Sequence, residues 1–237
     1  MIFPSLDRVK AIAPGYDIVP VYMEILSDVR TPISVLKALK QVSSHTYLLE
    51  SADNSNHWGR YSFLGYDPKI ELFCKNHQMT IKDGTTRTFE CSDPAAEIRN
   101  ILSQYKSPRL EELPTFTGGF VGYFACEYIR YIEPTLDFPT PDDDSAMVND
   151  VDLMLFDKVI AFDHYKNKIY LIANISTNDL ERNYNKAELE LKALADLVVN
   201  GKEANIPKGI LKTEFTSEFT KDEFEAVVKK TQHYIKE

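Results

Sequence analysis

The sequence predicts an α+β fold: antiparallel β-sheets in a layered sandwich, with helices packed on the outer faces. Three observations lead there. Four strand-like runs crowd into residues 46–82, separated by turn signals such as Gly65-Tyr66-Asp67-Pro68 and Lys82-Asp83-Gly84. Residues 151–175 read as two further antiparallel strands joined by a turn at His164-Tyr165-Lys166-Asn167. The 13 Tyr and 13 Phe against a single Trp give the core an aromatic, β-leaning character.

The elements follow in order. Residues 5–13 place Leu6, Val9 and Ile12 at helical spacing behind Ser5, and Pro14-Gly15 ends that helix. Residues 19–26 alternate as a strand. Thr31 caps a helix that opens with Pro32 and runs to about Val42, with Ile33, Leu36 and Leu39 on its buried face. Strand runs occupy 46–51, 60–66, 69–75 and 78–82. Asp93-Pro94 repeats the cap-then-proline signal for a helix over about 94–105. Residues 116–124 form a glycine-punctuated strand whose Tyr123 and Phe124 read as core. Glu127, Arg130 and Glu133 share one face of a short helix, as a salt-bridged face would. Residues 134–146, rich in Pro and Asp, form a loop. A long helix over about 179–199 carries Leu189, Leu191, Leu194, Leu197 and Val198. The last helix begins at Thr220 with Glu223 three residues on, a capping box. It stops with no C-terminal signal, and its apolar face has nothing after it to pack on. The chain is therefore expected to be the N-terminal part of a longer polypeptide.

Composition narrows the function classes. A formal charge of −9 and a pI near 5.1 argue against nucleic-acid or anionic-membrane partners. No apolar stretch approaches a membrane span and no signal-peptide core is visible, so the cytoplasm is the expected compartment. Cys74, Cys91 and Cys126 lie far apart with no CxxC pair, which reads as buried reduced thiols rather than a zinc site or disulfide framework. The glycines at 118, 119 and 122 do not match a phosphate loop and instead suggest a bulge or close backbone approach. Asp142-Asp143-Asp144 lacks EF-hand spacing and reads as a solvated loop.

The stretch with most chemical content is TYLLESADNSNHWGRYSFLGYDP, residues 46–68. An apolar strand ends in Leu49, Glu50 and Ser51, a polar loop follows, and the next strand opens at Arg60. A carboxylate, a hydroxyl and a guanidinium at one strand mouth suit the ammonium and carboxylate of an amino acid. Tyr61 and Phe63 offer an apolar wall. Equally, Glu50-Ser51 suits the start of a polar turn, and Arg60 suits a structural ion pair.

These blocks, with VPVYMEILSDVRTPISVLKAL at 19–39, GGFVGYFACEYIRYIE at 118–133 and FTKDEFEAVVKKTQHYIKE at 219–237, resemble anthranilate synthase component I. The resemblance implies an N-terminal regulatory domain over 1–200, a linker over 201–218 and the first helix of a truncated chorismate-binding domain over 219–237. It implies a parent enzyme of tryptophan biosynthesis that makes anthranilate and pyruvate from chorismate. Ammonia would come from a glutamine amidotransferase partner. Mg²⁺ and the catalytic residues are expected in the missing domain, so this chain alone should be inactive and cofactor-free. It also implies feedback inhibition by L-tryptophan, with Ser51 as a principal contact, Glu50 and Leu49 beside it, and Arg60 near a basic pocket position. The missing chorismate-binding domain would supply the other wall. The related aminodeoxychorismate synthase component I and a stand-alone amino-acid-binding module are the competing readings.

Overall fold

The computed structural model describes the chain except residues 29, 51–58, 134, 136–147, 208 and 237. Residues Met1–Asn205 form one compact unit and Ile206–Glu237 another.

The first unit is α+β, built on two five-stranded antiparallel sheets. Sheet A has the order β1-β10-β9-β3-β2, from β1 (Ile18–Leu26), β10 (Lys168–Ser176), β9 (Lys158–Asp163), β3 (Tyr61–Tyr66) and β2 (Thr46–Leu49). Sheet B has the order β6-β5-β4-β8-β7, from β6 (Thr86–Glu90), β5 (Gln78–Lys82), β4 (Ile70–Lys75), β8 (Val151–Phe156) and β7 (Gly119–Phe124). Alternation gives sheet A two different faces. Leu64, Ile160, Phe162, Leu171 and Val21 point into a core shared with α1 (Leu6–Ile12), α2 (Pro32–Leu39) and α5 (Leu180–Asn200). The opposite face carries Tyr22, Tyr170, Ala161 and Phe63, and residues Leu110, Leu113 and Phe116 cover part of it. Sheet B buries Leu72, Met79, Ile81 and Leu153 against Ile98 and Ile101 of α3 (Pro94–Leu102).

The cap signals are realised as hydrogen bonds. Thr31 Oγ1 accepts from Ser34 N, and Asp93 Oδ1 accepts from Ala96 N, each ahead of a proline at the first helical position. Ser5 occupies the cap position of α1 without a side-chain bond. In the second unit, Thr220 N donates to Glu223 Oε2 and Glu223 N to Thr220 Oγ1, closing the capping box of α6 (Lys221–Lys236).

The chain crosses between sheets twice. It leaves sheet A after β3, turns through Asp67 in a left-handed conformation, and enters sheet B at β4. It returns at the single residue Asp157, between β8 and β9. A Lys158–Asp67 ion pair of 3.0 Å ties the two crossings together. The run over 151–163 is thus two strands in two sheets, where its unbroken apolar pattern predicts one. Four other expectations are corrected. Ile33 and Leu189 face solvent, because Val35, Ala38 and Leu39 form the buried side of α2 and Leu191 and Leu194 that of α5. Tyr123 and Phe124 are exposed at the end of β7, an edge strand. Cys126 is exposed, whereas Cys74 and Cys91 are buried. Among the described residues no ion pair joins Glu127, Arg130 and Glu133, which lie along a 3-10 turn, α4 (Ile129–Ile132) and its C-cap. The Asp142-Asp143-Asp144 run lies outside the described residues.

Candidate functional site

The mouth of sheet A is the end where β2 and β9 finish and β3 and β10 begin. β2 and β3 pair antiparallel with Leu49 opposite Phe63, and β3 pairs with β9 with Tyr61 opposite Asp163. Leu49 is 47% exposed and lies on the same face as Phe63 and Tyr61. The Tyr61 and Phe63 rings stack at 5.7 Å, and Phe116 meets Phe63 edge-on at 5.4 Å. An apolar, aromatic wall therefore stands beside the point where the chain leaves β2. Tyr47 packs at the base of that strand pair: its ring lies against Gly65, where any Cβ would collide with it. Gly65 is the position that lets the ring approach the backbone.

Glu50 follows Leu49, exposed, and no described residue pairs with its carboxylate. Ser51 lies outside the described residues. Arg60 begins the return strand, and the structure commits its fork. Nε reaches Asp163 Oδ1 at 3.0 Å and Nη2 reaches Asp163 Oδ2 at 2.6 Å. Asp163 has no exposed side-chain surface. It also accepts backbone N–H bonds from Tyr165 and Lys166, which form the β9–β10 turn. Burial alone would raise its carboxyl, but the Arg60 and backbone donors outweigh that and hold it below the ordinary range. The same hydrogen bond raises Arg60 above its ordinary value. The guanidinium lies 4.9 Å from the Tyr61 ring centre and 5.5 Å from that of Tyr165.

Sequence reasoning missed Asp163, Ser62 and His164. Ser62 is buried, and its Oγ lies 2.7 Å from His164 Nε2. His164 N donates to Arg60 O at 2.9 Å, so the turn and the start of β3 are fixed together. The FDHYKNK pattern signals a hairpin turn; nothing in it tells that its aspartate and histidine meet residues about a hundred positions earlier.

The mouth thus carries the aromatic wall and the Arg60–Asp163 pair on one face of sheet A and the Ser62–His164 hydroxyl–imidazole pair on the other, with Glu50 exposed at the end of β2 and its carboxylate without a partner among the described residues. That set can recognise a small polar molecule with an apolar body; among the described residues it holds no activated nucleophile with a base and a third orienting group. Among the described residues no three His, Cys, Asp or Glu side chains gather into a group that could hold a metal ion. A separate cavity of about 110 Å³ lies at the seam of the two sheets, lined in part by Lys69, Asp157, Gly118, Gly119 and Asn174. Among the described residues no helix is long and apolar enough to cross a membrane.

Residues 45–237 match the family model described as chorismate binding enzyme. That match begins far ahead of residue 219, so the expectation that chorismate-binding similarity is confined to the last helix is corrected. The chain is 33% identical over 247 aligned residues to anthranilate synthase component 1 of Acetivibrio thermocellus, covering 100% of this chain and 49% of that protein. It is 39% identical to the same component of Acinetobacter calcoaceticus, covering 78% of this chain and 37% of that protein. A crystal structure of anthranilate synthase component I from Streptococcus pneumoniae TIGR4 aligns with a TM-score of 0.47 and 23% identity, over 90% of this chain and 45% of that one. The chain spans about half the length of the curated relatives it matches. On the family match, this chain belongs to the chorismate binding enzymes, as a homologue of anthranilate synthase component 1.

Proposed function

We propose that this chain works as part of an anthranilate synthase component I in tryptophan biosynthesis. The whole polypeptide would convert chorismate and ammonia to anthranilate and pyruvate, with a component II glutamine amidotransferase supplying the ammonia. Within it, the mouth of sheet A is the seat of feedback inhibition by L-tryptophan. One observation carries this reading: Glu50, exposed and without a partner for its carboxylate among the described residues, directly follows Leu49, which shares a sheet face with the Tyr61–Phe63–Phe116 aromatic wall. A buried zwitterion needs both charges met, because an unpaired charge in a low-dielectric site is costly. Glu50 suits the ammonium, the wall suits the indole, and Ser51 is the proposed hydroxyl contact. Arg60, spent on Asp163, serves by holding the return strand in place. Binding at this mouth inhibits if it favours one arrangement of the polypeptide and chorismate another, in which case the two ligands are coupled reciprocally.

The test is anthranilate formation from chorismate and ammonia by a full-length polypeptide carrying this chain, with L-tryptophan titrated in. Ser51→Arg and Ser51→Phe fill the pocket and should raise the half-inhibitory concentration by about tenfold or more, the equivalent of one lost polar contact. Wild-type inhibition in both variants would overturn the assignment.

A further inference from the structure

At the seam, the far end of β3 and β9 from the mouth, Asp157 is a carboxylate short of donors. It is partly buried and lines the cavity of about 110 Å³ there. The two cations that act on it are engaged elsewhere. Lys158 gives Nζ to Asp67 Oδ2 at 3.0 Å. Lys69, also lining the cavity, holds its ammonium 5.1 Å from the centre of the Tyr105 ring and forms no ion pair with Asp157. Glu190 of α5 adds a repelling charge. Apart from its own backbone N–H, no donor among the described residues reaches the Asp157 carboxylate. A charge buried without partners costs stability, and such a group at a cavity marks a binding site whose compensation arrives with the ligand. Asn174 adds a second acceptor. Its Nδ2 donates to Thr117 O at 2.7 Å and to Asp157 O at 3.1 Å, which spends both amide hydrogens and fixes the amide's orientation. Its Oδ1 has no donor among the described residues. Gly118 permits this packing, because a Cβ there would come within 2.6 Å of Asn174 Nδ2 and 2.9 Å of Phe156 O. Leu102, Leu155 and Phe156 supply the apolar part of the wall. Unspent acceptors thus face an apolar wall, with room for about four groups the size of a water molecule.

We propose that the seam cavity binds a small primary ammonium ligand, an alkylamine of about four non-hydrogen atoms, whose charged end donates to the Asp157 carboxylate and Asn174 Oδ1 while its carbon chain lies against Leu102, Leu155 and Phe156. An ammonium brings donors and no acceptor, which is what this set of acceptors lacks. An anion is refused by Asp157, and a neutral molecule of the same shape leaves its charge unmet. Lys69 is the competing internal cation. The site is independent of the amino-acid reading of the mouth, and either stands if the other fails.

Calorimetry on a full-length polypeptide carrying this chain tests the site with three probes of similar size: n-propylammonium, 1-propanol and propionate. At neutral pH, n-propylammonium should bind in the millimolar range its size allows, 1-propanol about tenfold more weakly, and propionate not at all. Asp157→Asn, which keeps the side-chain shape, should weaken n-propylammonium about tenfold and leave 1-propanol unchanged. Lys69→Met, which keeps the stem and removes the competing charge, should tighten n-propylammonium about threefold and leave 1-propanol unchanged; it reads the same charge balance if Asp157→Asn does not fold. Equal wild-type affinity for n-propylammonium and 1-propanol overturns the proposal, as does binding of propionate or of none of the three. Unchanged n-propylammonium affinity in Asp157→Asn overturns it too, and equal weakening of both binding probes there marks a structural role and does the same.

Discussion

β9 is bounded by two shielded aspartates whose environments are opposite. Asp163, at its end, is completely buried yet receives two guanidinium and two backbone donors, and its carboxyl is held below the ordinary range. Asp157, just before its start, sits at the crossing between sheets, where burial raises its carboxyl against the pull of Lys158 and Lys69. Both lie in the same strand run, Asp163 fully buried and Asp157 partly so. Direct hydrogen bonds to the charged form make the difference. At the mouth end the charge of Asp163 is met by four donors, whereas at the seam that of Asp157 is only partly met. A rigid, compensated end is where a ligand site gains from preorganisation.

Breaking the compensated end should have the largest effect. Arg60→Ala leaves the Asp163 carboxylate buried without its main partner, and loss of one member of a buried pair costs about 3–5 kcal/mol. Urea unfolding of the chain should show that loss in the midpoint at an unchanged slope. A cost below about 1 kcal/mol, the level of a surface pair, would mean that the pair is solvated and the contrast between the ends is false. The acid limb gives the matching sign. Because the folded Asp163 value is depressed, its contribution is present above the unfolded value of about 3.9 and is lost as pH falls through the folded value. Arg60→Ala should flatten that limb as well as lower it.

At the seam the sign reverses. A carboxyl raised on folding makes the native state bind more protons than the unfolded chain between the two values, so stability falls as pH rises through that window. Asp157→Asn removes the charged form. It should leave acid stability unchanged and raise stability at neutral pH, the gain growing above about pH 4 and levelling off beyond the folded value. Paired unfolding curves at pH 3 and pH 7 decide this. An Asp157→Asn variant destabilised at pH 7 would show that the carboxylate is compensated there too.

How much of this the sequence disclosed depends on the range of the interaction. Local signals were legible: Thr31-Pro32, Asp93-Pro94 and the Thr220/Glu223 box all cap helices as their chemistry requires. The β2–β3 mouth was legible as well, because Glu50 and Arg60 flank one loop. What escaped was set by partners far away in sequence. Asp163 lies 103 positions from Arg60, and its mate cannot be read from a hairpin-turn pattern. The switch at Asp157 escaped because Leu155, Phe156, Val159 and Ile160 are buried whichever sheet they belong to. β6 escaped for the opposite reason. It is an edge strand, exposed at four of five positions, and so shows no apolar alternation.

The smallest effect sharpens the comparison most, because it asks whether the compensated end relies on more than its hydrogen bonds. Tyr165 is 78% exposed, and its ring lies 5.5 Å from the Arg60 guanidinium, opposite the contribution of Tyr61 at 4.9 Å. An exposed cation–π contact is worth about 0.5–1 kcal/mol, well under the Arg60–Asp163 bond pair. Tyr165→Ala should cost that much in the wild type and nothing in Arg60→Ala, since the cation it meets is gone. The double-mutant cycle reads that coupling directly. Additive losses would place the value of Tyr165 in the β9–β10 turn itself. The aspartate and its four donors would then hold the mouth without help from the rings.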